Sequence, residues 1–294
     1  MKRTSFLDHV GWTGGGIVLS LGASGIFTSA ASAATSLSFV QISDSHVGFS
    51  LPANPDVVGT FNQVVDRINA LPVQPAFVVH TGDVTHLSKV EEFDAAKTIL
   101  GRLKANVIVL PGEHDAIGAE GRKRYLAAFG RPSGPEGWFS FDRDGVHFVA
   151  LVNVFNYETM GVLGAAQLDW LAKDLAGRKS DTPLVVFGHV PLYALYPEWG
   201  WTTEDGAKAI AMLRRFSAVT VLNGHIHQVI TKRDGNISFA TANATAYPQP
   251  APGKAEKPGP LTVPAPELLR DIGYRSVAIN GATVTVTDRP LASG

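Results

Sequence analysis

The chain has 294 residues, 45% of them hydrophobic and 17% charged, enough apolar material for one large buried core. A formal net charge of -1 excludes polyanion binding driven by bulk electrostatics, whether to nucleic acid or to an anionic membrane surface. There is no cysteine, so disulfides, thiolate ligands and Cys nucleophiles are excluded, and carboxylate and imidazole chemistry remains.

Lys2 and Arg3, an apolar stretch from Gly11 to Phe27, and then Ala31-Ser32-Ala33 read as an export signal over residues 1–33, with the mature chain beginning near Ala34. The stretch is too short and Gly-rich for a stable membrane anchor. Lys2-Arg3 ahead of Phe6-Leu7 resembles a twin-arginine signal, with Lys for the first Arg and one extra residue before Phe6. The expected location is therefore periplasmic or secreted, with one domain over residues 34–294.

From Leu37 onward, apolar runs of strand length alternate with helical spacing. Strands are expected at 37–42, 76–79, 107–110, 146–152, 184–187 and 219–222, and helices at 57–70, 90–103, 121–129, 167–176 and 203–216. Further on, strands are expected at 229–232, 237–241, 276–279 and 282–287, turned by Asp234-Gly235 and Asn280-Gly281. Between these two pairs, Pro248 to Pro266 is rich in Pro, Ala and Gly and reads as a surface loop. Alternating strands and helices predict an α/β arrangement with functional groups at the carboxyl ends of strands.

Five hydrophobic runs end in a burst of acidic or imidazole side chains: Asp44-Ser45-His46, Gly82-Asp83, Gly112-Glu113-His114-Asp115, Gly188-His189 and Gly224-His225-Ile226-His227. A single Asp-x-His or Gly-Asp is ordinary turn chemistry. Five in series are what a two-metal hydrolytic centre requires, because one strand end can aim only one or two ligands at a point. His225 and His227, two residues apart, converge only if the backbone bends or bulges.

This ordered series resembles the calcineurin-like metallophosphoesterases, whose pattern is D-x-H, G-D, G-N-H-[DE], a Gly-His and G-H-x-H. The resemblance runs from Leu37 to about Thr287 and is nearest to the branch of class III cyclic-nucleotide and glycerophosphodiester phosphodiesterases. It implies a four-layer α-β-β-α sandwich, two mixed sheets flanked by helices, with a dinuclear centre at the sheet edge. It further implies that Asp44, His46 and His227 hold one metal, that His189 and His225 hold a second, and that Asp83 bridges them. A hydroxide generated there would attack phosphorus in line while both ions neutralise the phosphoryl oxygens. Mixed O/N ligation without sulfur suits two divalent or mixed-valence ions drawn from Mn, Fe, Zn or Co. His114 matches the family's catalytic or phosphate-orienting His, and Asp115 could hold its imidazole, unless Asp115 is only a turn carboxylate.

Glu113 departs from the pattern, standing where Asn is usual; it keeps an oxygen ligand, adds a negative charge and loses an amide donor. It either ligates the second metal or turns aside. His80 and His147 read as core imidazoles, whereas His86, where purple acid phosphatases carry a Tyr ligand, could touch substrate. Tyr193, Trp199 and Trp201, in the loop after His189, form either a substrate wall or scaffold packing. The reading is an exported phosphoesterase acting on a small-molecule phosphate ester, a diester ahead of a monoester. The alternatives are a nonspecific extracytoplasmic phosphomonoesterase, or a non-catalytic binding module altered at Glu113. Oligomeric state is left open.

Overall fold

The computed structural model describes residues 18–22, 25–29, 36–130 and 136–292. Contacts divide it into two units, residues 1–35 and 36–294. In the first, β1 (Val18–Gly22) and β2 (Gly25–Ser29) form an antiparallel hairpin. Lys2, Arg3 and Ala31-Ser32-Ala33 of the expected export signal lie outside the described residues. Among the described residues, no helix is long and apolar enough to cross a membrane.

The second unit begins with β3 (Ser36–Ile42), α1 (Val57–Asn69), β4 (Val78–His80), α2 (Val90–Leu100), β5 (Val107–Val109) and α3 (Gly118–Phe129). It continues through β6 (Phe139–Arg143), β7 (Val146–Ala150), α4 (Ala165–Ala176), β8 (Leu184–Phe187), α5 (Gly206–Leu213) and β9 (Val219–Asn223). It ends with β10 (Thr231–Asp234), β11 (Ile237–Thr241), α6 (Ala265–Asp271), β12 (Gly273–Asn280) and β13 (Thr283–Pro290). One sheet has the order β13-β12-β3-β4-β5 and the other β10-β11-β9-β8-β7-β6. Both are mixed: β3, β4 and β5 run parallel, as do β7, β8, β9 and β11, with antiparallel strands at the edges.

Period-two alternation makes this the four-layer sandwich. In β3, Leu37 and Phe39 point between the sheets while Val40 and Ile42 face α1 and α2. In β8, Val185 and Phe187 point between the sheets while Leu184 and Val186 face α4 and α5. The inter-sheet layer is aromatic: Phe39 stacks on Phe77 with centroids 4.8 Å apart, and Phe148 meets Phe39 edge-on. Helix α1 starts where the Asp56 carboxylate accepts the Gly59 N–H, a cap of about 1 kcal/mol.

Two elements depart from the sequence expectation. Edge strand β6 was not anticipated; its Phe139 and Phe141 pack on the inter-sheet core from a half-exposed hairpin. The segment 248–266 is not loop throughout, since α6 begins at Ala265 with Pro266 in its first turn, a position where a missing N–H costs no helical bond.

Candidate metal centre

The five polar bursts follow β3, β4, β5, β8 and β9, all at carboxyl ends. Register aligns them: Ile42 pairs with His80 and His80 with Val109 in one sheet, and Phe187 with Leu222 in the other. Cross-loop bonds then lock the ends together, Asp44 N–H donating to Gly82 O at 2.9 Å, His46 N–H to Asp83 O at 2.9 Å and Gly224 N–H to His189 O at 3.0 Å.

The backbone is strained where the side chains converge. Asp44, His46, Asp83, His225 and His227 all have positive φ, between 41° and 70°, a region that costs a non-Gly residue energy and persists only where surroundings enforce it. These left-handed turns replace the bend or bulge expected of the G-H-x-H burst. Gly82, at φ 105°, leaves no room for a Cβ, which would sit 2.4 Å from His189 Nδ1. A Cβ on Gly224 would sit 2.7 Å from Asp44 Oδ2.

Of the five groups of three among the described residues that could hold a cation, two share no residue with each other and match the expected ligand sets, Asp44 with His46 and His227, and Glu113 with His189 and His225. In the first, His46 Nε2 lies 3.1 Å from His227 Nε2, and His227 Nε2 lies 3.5 Å from Asp44 Oδ1. In the second, Glu113 Oε2 lies 2.9 Å from His189 Nε2 and Glu113 Oε1 lies 2.9 Å from His225 Nδ1. Those separations are hydrogen-bond-like, yet Glu113 Oε2, His189 Nε2 and both ring nitrogens of His225 are buried without a hydrogen-bond partner. Ligands at right angles around an ion with bonds of about 2.0–2.2 Å stand roughly 3 Å apart. Donor atoms buried, unpaired and at that spacing fit a metal ion. Asp83 Oδ2 is 3.5 Å from both His46 Nε2 and His189 Nε2 and so lies between the groups.

A second layer aims the rings. His189 Nδ1–H donates to Thr81 O at 2.7 Å and His227 Nδ1–H to Tyr247 O at 2.6 Å, leaving each Nε2 lone pair facing inward. His46 Nδ1 is backed by His86 Nδ1 at 3.4 Å. Burial holds His46 well below the ordinary imidazole value. His80 is lowered by burial to about 3 and bonds Ser45 Oγ at 2.9 Å, a neutral core imidazole. His147 also lies in the core, between Asp142 and Asp174.

His114 lines the cleft, its N–H donating to Asp83 Oδ1 and its Nδ1–H to His86 O at 2.7 Å. Burial would lower its pKa, but the charges of Asp83 and Glu113 hold it above the ordinary value. Asp115 does not orient the His114 ring. Its fully buried carboxylate accepts N–H bonds from Val84, Thr85 and Gly112 and the Thr85 hydroxyl, so it clamps two motif loops together. Burial and the Asp83 charge push it up to about 6.

A cleft of about 220 Å³ opens over the cluster, and His86, Trp199 and Trp201 line it. Tyr193 does not; it is buried against Phe239 in the layer under α4 and α5. Residues that carried no sequence signal also line the cleft: Tyr157, Tyr247, Gln249 and Pro258 to Pro260. Tyr247 stacks on the His46 ring at 5.0 Å. The Pro-rich segment is held over the site, Gln249 donating to His225 O and accepting from Gly259 N–H.

Residues 37–229 match the sequence pattern of the calcineurin-like phosphoesterases. A 3',5'-cyclic-nucleotide phosphodiesterase from Nostoc sp. is 26% identical over 72% of this chain and 79% of its own length. A glycerophosphodiester phosphodiesterase from Enterobacter lignolyticus is 26% identical over 71% and 78%, and a probable cyclic nucleotide phosphodiesterase from Rhodopseudomonas palustris is 31% identical over 65% and 71%. Among solved structures, a dimetal phosphatase from Danio rerio shares the fold at TM-score 0.66 and 13% identity, covering 87% of this chain and 96% of that one.

Proposed function

The chain belongs to the calcineurin-like phosphoesterases, and from that membership we propose a metal-dependent hydrolase of small-molecule phosphodiesters. Asp44, His46 and His227 would hold one cation and Glu113, His189 and His225 another, with Asp83 shared. The observation that carries this reading is the equal 3.5 Å from Asp83 Oδ2 to a histidine of each group. Bound cations supply Lewis acidity, activating water and neutralising phosphoryl charge.

The chain's own residues do the rest. Asp83 Oδ1 and the His86 carbonyl fix His114 from two sides, leaving its Nε2 for the substrate. The carboxylate charges that favour its protonated form suit it to donate a proton to the leaving oxygen.

Diester preference follows from charge. Among the described residues neither Lys nor Arg lines the cleft, while Asp83 and Glu113 both do, so no side-chain cation is added to the bound metals to offset the second charge of a monoester, which suits a monoanionic diester. The names of the Nostoc and Enterobacter relatives, both phosphodiesterases, agree with that class. Mn, Fe, Zn and Co all suit the donor set. The test is hydrolysis of bis-p-nitrophenyl and p-nitrophenyl phosphate by protein loaded with each metal; a faster monoester reaction would reverse the preference, and no metal-dependent hydrolysis would overturn the enzyme reading.

Export rests on residues 1–33 as read from the sequence. Mass spectrometry of the protein from periplasm and medium should give an amino terminus near Ala34; an intact Met1 in protein confined to the cytoplasm would refute it.

A further inference from the structure

The cavity at the cluster has two lobes. Beyond the residues they share, the first contains His46, Asp83, His225 and His227 of the cluster and is walled around them by Trp199, Trp201, Tyr247 and Pro258 to Pro260. The second, of about 290 Å³, is walled by Ala116, Ile117, Gly118 and Val154. Glu113, His114 and Tyr157 line both, so the lobes meet at the proton donor and a carboxylate of the cluster.

The walls differ in kind. In the first lobe Trp199 and Trp201 stand edge to face, centroids 5.0 Å apart at 86°, and flat rings with pyrrolidine edges suit a planar group. Beyond its shared residues, the second lobe is aliphatic. Ile117 there is 50% exposed, apolar surface that a small alkyl group would cover.

Substituents on phosphorus sort by this geometry. A monoester carries one organic arm and fills one lobe. A 3',5'-cyclic diester returns both ester oxygens to a single sugar, so its bulk also goes to one side. Only an acyclic diester sends a separate arm each way from a phosphorus held at the junction. We infer that the site takes an acyclic phosphodiester with unlike arms, a planar aromatic group between Trp199 and Tyr247 and a short aliphatic group against Ile117 and Val154.

This rests on the phosphodiesterase reading, and the test separates the two. Phenyl(methyl)phosphinate and phenyl(butyl)phosphinate have two carbon arms and no ester bond, so their affinities for the Mn-loaded protein can be measured by calorimetry without turnover. Butyl should bind about tenfold tighter than methyl, below the roughly fifty-fold that three fully buried methylenes give at about 0.8 kcal/mol each. Ile117→Trp, at a half-exposed position that tolerates bulk, should erase that ratio. Trp199→Ala should weaken both phosphinates while the ratio stays near tenfold. Hydrolysis of butyl phenyl phosphate should outrun that of a 3',5'-cyclic nucleotide. Equal affinity for the two phosphinates, equal weakening of both by Ile117→Trp, or faster cleavage of the cyclic ester would overturn the two-arm inference alone. If neither phosphinate binds and bis-p-nitrophenyl phosphate is not cleaved, the phosphodiesterase reading falls and takes this inference with it.

Discussion

The protein holds its two ligand groups with unequal firmness. Asp44, His46 and His227 are buried, all three sit on left-handed backbone, and His46 and His227 are braced from behind by His86 and the Tyr247 carbonyl. In the other group only His189 has such a brace. Glu113 reaches in from a single 3-10 turn with a 19% exposed side chain, and neither ring nitrogen of His225 has a hydrogen-bond partner. One half is set by the fold; the other depends on the longer side chain of Glu113, whose ordering costs side-chain entropy. The first group should therefore bind its ion more tightly.

Asp83 belongs to both halves, so Asp83→Ala should abolish the distinction. Metal content should fall at both sites and kcat/KM on the order of 10³-fold, the several kcal/mol that Lewis-acid stabilisation supplies. Retention of one full equivalent by mass spectrometry would show that the halves do not share that ligand. A finer cut is Glu113→Gln, which keeps an oxygen but removes the charge. The weaker ion should be lost with a Kd raised about 10- to 100-fold, while the tighter one stays within about twofold. Equal loss of both ions would break the comparison.

The brace behind His46 predicts a smaller effect. His86→Phe keeps a ring but removes the acceptor, and should loosen the tighter ion about tenfold. His86→Asn, which restores an acceptor, should recover most of that affinity; failure to recover would mean that His86 acts by packing alone.

Much of this site was legible in the chain because strand ends carry their own punctuation. A β-branched run closing on Gly-Asp or Gly-His marks both the carboxyl end of a strand and a side chain aimed off it, which is how Asp83, His189 and His225 were singled out. Asp115 misled because sequence adjacency suggested a bond to His114, whereas consecutive residues of a helical turn do not face one another, and the carboxylate turned inward to three N–H groups. Tyr247 carried no signal, since its contact with His46 joins residues some 200 positions apart, and Pro258 to Pro260 read only as part of a surface loop. Tyr193 and Trp199, six residues apart in one loop, parted between core and cleft, Tyr193 packing against Phe239.

A third imidazole–carboxylate cluster shows what such groups do where the Arg178 guanidinium, and not a metal ion, supplies the positive charge. At the amino end of β7, opposite the metal centre, His147 Nε2 lies 2.7 Å from Asp174 and Nδ1 2.9 Å from Asp142, with Ser140 donating to Asp174 at 2.6 Å. Every ring nitrogen is paired, unlike those of His225. Burial raises the Asp174 pKa, but the bonds from His147 and Ser140 outweigh it and hold the carboxyl below its usual value. Its stabilisation is thus present above the unfolded value of about 3.9 and fades as pH falls through the lower folded one. Asp174→Asn should cost about 2 kcal/mol near pH 7, the worth of hydrogen bonds to a charged group, and the difference in denaturant midpoint should shrink below about pH 4. Metal content should not change. A loss of metal with Asp174→Asn would mean that the two ends of the sheet are coupled, and that the firmness of the Asp44 group comes from the whole layer beneath it rather than from its own turns.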